Sequence, residues 1–140
     1  LYFIDTKITI EDLRKILTKN DSEEVDQIFF LITDSYKNII IKTNKLISSS
    51  SISFQLLQRI KFFFNIILES KNISDAESFF PRYLFKEKQR FLEIFKRTNP
   101  KKNLEVLNLI KRTELLLRKN ESLFLSTSQR LLINIKKKLN

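Results

Sequence analysis

Apolar residues recur at three- and four-residue spacing through almost the whole chain, which is the mark of amphipathic helices. Ile10, Leu13, Ile16 and Leu17 predict a short helix to about Lys19, with Thr9 as its cap and Asp12 as the reciprocal capping partner. Asn20-Asp21-Ser22 breaks that pattern and marks the best internal boundary. A second helix is capped by Asp21 or Ser22. Its first turn carries Glu23, Glu24 and Asp26, where the helix dipole favours acids, and its apolar face is Val25, Ile28, Phe29 and Ile32. A third runs from about Ser35 through Ile39, Ile40 and Leu46, with Lys37, Lys42 and Lys45 turned to water. Ser48 to Ser51 is a polar connector, short enough to join antiparallel neighbours.

The fourth helix, about Ser53 to Ser70, is the most hydrophobic and the expected centre of the bundle. Leu56, Leu57, Ile60, Phe63, Phe64, Ile67 and Leu68 form its stripe. Aromatics at this spacing read as core, not as a base-stacking platform. Ser74 is the expected cap of a one- or two-turn helix ending before Pro81, which disfavours helix at Phe80. Tyr83, Leu84 and Phe85 lead into a fifth helix with Phe91, Leu92 and Phe95 inside. Asn99-Pro100 stops it, and Pro100 opens a sixth helix to about Lys119 that buries Leu104, Leu107, Ile110 and Leu117. Ser126 or Thr127 caps the last helix, with Leu131, Leu132 and Ile135 inside and fraying at Lys136-Lys137-Lys138. No alternating pattern and no glycine turn interrupts the series. The fold class is all-α: an antiparallel bundle of about five to six helices, preceded by a short helix.

Composition then removes most chemistry. With Gly 0 there is no phosphate-cradling loop, and with Cys 0 and His 0 there is no ordinary zinc site, thiol nucleophile or imidazole base. No catalytic residue, metal or cofactor is expected. Apolar residues at 42% and charged residues at 30% describe a globular domain. No apolar run is long enough for a bilayer, so the expectation is a cytoplasmic protein with no membrane partner. The chain opens on Leu1, as expected of a piece of a longer protein.

Charge is uneven. Residues 1–80 carry 10 Lys and Arg against 11 Asp and Glu, whereas residues 81–140 carry 16 against 5. The net +10 therefore lies in the second half, as expected of a basic face that attracts phosphate or an acidic partner. Lys88, Lys96, Arg97, Lys101 and Lys102 are the candidate DNA or phosphate contacts. Glu114 and Arg118, spaced i, i+4 with the acid first, are a favourable helix ion pair.

Five segments occur in a telling order: ITIEDL at Ile8–Leu13, LQRIKFFF at Leu57–Phe64, PRYLFKEK at Pro81–Lys88, Glu114 to Arg118, and LLI at Leu131–Ile133. In that series the chain resembles the C-terminal region of the bacterial DNA polymerase III delta subunit, part of the sliding-clamp loader. Arg82 stands where the family often has a second proline, no tryptophan stands near Thr98, and Arg118 replaces a lysine.

The resemblance implies that residues 1–20 end a middle, lid-like domain and residues 21–140 form the helical collar. Collar domains pack side by side and hold the loader ring together while ATP is used elsewhere. The implied partners are the ATPase-type motor subunit and a delta-prime-like subunit, with the sliding clamp reached only through an N-terminal module outside this chain. The implied role is non-catalytic, in DNA replication, although the parent holoenzyme is a DNA-directed DNA polymerase. A ring contact needs two different faces. The fifth and sixth helices are expected to supply one, with Arg82, Lys86, Arg90, Glu114 and Arg118 as candidate interface residues. Two other readings are a basic helical domain that binds nucleic acid directly, and a helical adaptor for an acidic partner.

Overall fold

The structure, a computed structural model, describes residues 24–140. The expected first helix and the domain boundary at residue 20 lie outside them. The described residues are all-α, with no strand among them. Residues 24–30 form α1, followed by α2 (Tyr36–Leu46), α3 (Ser50–Glu69), α4 (Ile73–Phe79), α5 (Lys88–Arg97), α6 (Pro100–Lys119) and α7 (Phe124–Leu139). Short tighter turns precede α2, α5 and α7, at Leu31–Thr33, Arg82–Glu87 and Glu121–Leu123.

Local chemistry sets most of the boundaries. The side chains of Ser35, Ser49 and Asn99 accept from the backbone N–H three residues on, at the starts of α2, α3 and α6. Pro100 sits in the first turn of α6, where its missing N–H costs nothing. At α4 the cap is Asn72, not Ser74. Its Oδ1 accepts from Asp75 N at 2.9 Å while Asp75 Oδ2 accepts from Lys71 N at 3.2 Å, so the helix gains a reciprocal cap two residues earlier than expected. Ser126 and Thr127 do not cap α7, because the Glu121–Leu123 turn runs straight into it. Ser126 lies inside the helix and its hydroxyl donates to Leu123 O.

The core is built around α3, which packs against α4, α6 and α7. Phe63 is its hub, fully buried and stacked on Phe29 at 4.6 Å, with Phe30, Phe80 and Phe91 at 5.3 to 6.2 Å. Such pairs add about 0.5–1.5 kcal/mol each beyond the area they bury. Small residues set the α3–α7 approach: Ser128 Oγ donates to Ser53 Oγ at 2.8 Å, and both are buried.

Two leucines depart from expectation. Leu68 is exposed because each i+4 step advances the stripe by about 40°, so three steps carry it about 120° from Leu56. Leu104 is exposed because two i+3 steps, each falling about 60° short of a full turn, set it about 120° from Ile110, and Leu107, midway between them, is only half-buried. The inner face of α6 is instead Asn103, Val106, Ile110, Thr113 and Leu117.

Candidate interaction surfaces

Three charged or apolar surfaces stand out once the helices are placed. The first surrounds the Arg82–Glu87 turn. Pro81 ends α4 and the chain turns outward, exposing Phe79, Tyr83 and Phe85, the last at 69%. Arg82 and Lys86 are exposed beside these rings and form no ion pair among the described residues. Arg90, the third cation expected there, is held internally. Its guanidinium binds Asp34 at 2.9 Å and Glu87 at 3.4 Å, and Asp34 also takes Lys42 at 3.1 Å, so this carboxylate joins α2 to α5.

Beneath the turn lies a buried anchor. Asp26 on α1 is fully buried and takes Arg59 of α3 through both oxygens, at 2.5 and 3.2 Å. Arg59 also donates to Tyr83 OH at 2.9 Å, and that hydroxyl donates to Asp26 at 3.3 Å. The guanidinium lies 4.4 Å from the Phe62 ring centre, so the exposed edge of Phe62 has a stacking role. Burial pushes the Tyr83 phenol above its ordinary value, and the Asp26 charge adds to that. This triad went unseen in the sequence because its members lie 24 to 57 residues apart.

Glu114 and Arg118 lie elsewhere. Arg118 reaches Glu114 at 3.0 Å as expected, but the stronger partner of Glu114 is Lys61 on α3, at 2.8 Å. That hydrogen bond from Lys61 holds the Glu114 carboxyl below the usual carboxylate range. The pair therefore pins α6 to α3. No hydrogen bond or ion pair among the described residues joins it to Arg82, Lys86 or Arg90.

The second surface is the α5–α6 corner. Lys96, Arg97 and Lys101 are exposed there without an ion pair among the described residues. Lys102 folds back, its Nζ donating to Arg97 O at 3.4 Å, which satisfies a carbonyl at the end of α5. Lys88 sits apart, 4.0 Å from Glu77 of α4.

The third surface is an open groove of about 820 Å³ between α6 and α7, with Ile40 of α2 at its edge. Four cations line it, Arg112, Lys119, Arg130 and Lys137, and among the described residues no acid does. Leu109, Leu116, Leu123 and Ile133 supply its apolar part. Gln129 fixes the α2 side by donating to Thr43 Oγ1 at 2.9 Å and Asn44 Oδ1 at 3.1 Å. Sequence reading missed these four cations, although the absence of any Asp or Glu from α7 is visible in the letters.

No helix of the described residues is long and apolar enough to cross a membrane. Compared with protein families, with characterised proteins and with solved structures, the chain matches none.

Proposed function

We propose that this chain is a non-catalytic assembly module of the cytoplasmic replication machinery: the helical collar of a clamp-loader subunit resembling DNA polymerase III delta. The observation that carries the reading is the surface at the Arg82–Glu87 turn. Tyr83 and Phe85 stand exposed there beside Arg82 and Lys86, the mixture of aromatic anchor and cation that protein interfaces favour. The Asp26–Arg59–Tyr83 anchor holds the turn rigid, so little ordering entropy is lost when a partner docks. The ordered series of delta-like segments supports a loader subunit as the partner, and its PRYLFKEK segment spans this same turn.

Size-exclusion chromatography of the chain mixed with the ATPase-type loader subunit of the same organism tests this. A stoichiometric complex is expected, weakened at least tenfold by Phe85→Ala with Arg82→Glu. A folded chain that elutes alone at micromolar concentration removes the reading.

A second reading, phosphate binding, is favoured by Lys96, Arg97 and Lys101 at one corner. Binding to duplex DNA would then be insensitive to sequence and fall steeply with salt. Replacing all three by Glu would abolish it at every sequence. Affinity independent of salt would rule it out.

A further inference from the structure

The α6–α7 groove has a geometry that selects an occupant. The short Glu121–Leu123 turn makes α6 and α7 antiparallel neighbours, and the Lys138–Glu105 ion pair, at 3.2 Å, marks their register by joining the end of α7 to the beginning of α6. Along α6 the groove-facing residues include Leu109, Arg112, Leu116 and Lys119; along α7 they include Arg130, Ile133 and Lys137. Each wall therefore carries two cations seven residues apart, about 10 Å along its axis, with an apolar side chain between them. The antiparallel register puts Arg112 and Arg130 at about the same level, with Lys119 toward the turn and Lys137 toward the open end.

None of the four cations forms an ion pair among the described residues. The acids of α6 are engaged away from the groove, Glu105 with Lys138 and Glu114 with Lys61 and Arg118. Leu116 is 57% exposed and Leu123 52%, so apolar area is left uncovered along the cleft. An apolar trough between two cationic walls complements a helix with an apolar stripe flanked by carboxylates. A phosphate backbone would match the cations but leave the leucines in water. A second copy of this chain, itself at +10, would bring like charge to like.

We propose that this groove docks one acidic amphipathic helix of a partner protein, about four turns long, with Asp or Glu repeating every seven residues on each flank. The site goes beyond the loader reading, because it draws no residue from α4, α5 or the Arg82–Glu87 turn.

The test uses a fluorescein-labelled synthetic peptide of about sixteen residues, with Leu at i, i+3, i+4 and i+7 spacing and Glu on both flanks. Its anisotropy is titrated with the whole chain. Saturable binding is expected, at least tenfold weaker for a scrambled peptide of identical composition. Arg112→Glu with Arg130→Glu should weaken it at least tenfold, as should Leu116→Asp, with urea midpoints showing that the variants stay folded. Lys119→Glu with Lys137→Glu gives an independent second pair. Arg82→Glu with Lys86→Glu should leave binding unchanged, which separates this site from the loader surface. Equal binding of the scrambled peptide would overturn the proposal by showing charge attraction alone. So would displacement of the peptide by duplex DNA at equal charge concentration, or concentration-dependent dimerisation abolished by Leu116→Asp.

Discussion

The two sides of α3's surroundings are built from different residues and used differently. Toward α1, α4 and α5, aromatic rings close over one another and the buried charge is met, Asp26 by Arg59 and Tyr83. Toward the outer side of α6 and α7, leucines remain in water and four cations lack ion pairs among the described residues. Both regions come from amphipathic helices of ordinary composition. Stability is therefore concentrated in the interior of the first region, which opens at the Arg82–Glu87 turn with its exposed rings, whereas the outer side of the second is open along its whole groove. Surface cations that pair with nothing contribute little to folding, whereas a filled aromatic contact contributes several kcal/mol.

Substitutions should break this contrast unequally. The largest effect is expected for Phe63→Ala, which empties the hub of the ring cluster and should cost about 3–5 kcal/mol in urea unfolding. Arg59→Met should come next, at about 2–3 kcal/mol. It removes two hydrogen bonds from a buried carboxylate, moderated by the 25% of the Arg59 side chain that remains in water. Asn103→Leu should act in the opposite direction. Asn103 Oδ1 is buried without a hydrogen-bond partner among the described residues, so an apolar side chain of similar size should raise stability by about 1 kcal/mol.

Smaller still is the Lys61–Glu114 link. The Glu114 carboxyl is lowered in the folded state, so its contribution is fully present above the unfolded carboxylate value of 4.5. It is lost as pH falls through the lower, folded value. The stability gap between the native chain and Glu114→Gln, a few tenths of a kcal/mol at neutral pH, should close in that acid window. A gap that widened on acidification would reverse the assigned sign.

What was legible in the letters follows the same division. Asn99-Pro100 announced its boundary because a cap and a proline act on adjacent residues. Phe63, Phe64 and Phe91 announced the core because a stripe seen over two turns is barely rotated. Leu68 misled because i+4 drift accumulates along α3, and Leu104 because repeated i+3 steps turn quickly off the face; only the packed neighbours reveal where the buried face ends. Arg90 looked like a rim residue until the fold brought Asp34 to it. The groove could not be read at all from either helix by itself, since it exists only where the two helices lie side by side.

Whether the groove cations are free of any part in holding the fold is settled by one urea titration. Arg112→Glu with Arg130→Glu is compared with the native chain at neutral pH. An unchanged or slightly higher midpoint is expected, because the reversal lowers the net charge of +10 without touching a packed contact. A loss of more than about 1 kcal/mol would contradict it, showing that these cations hold the α6–α7 hairpin together.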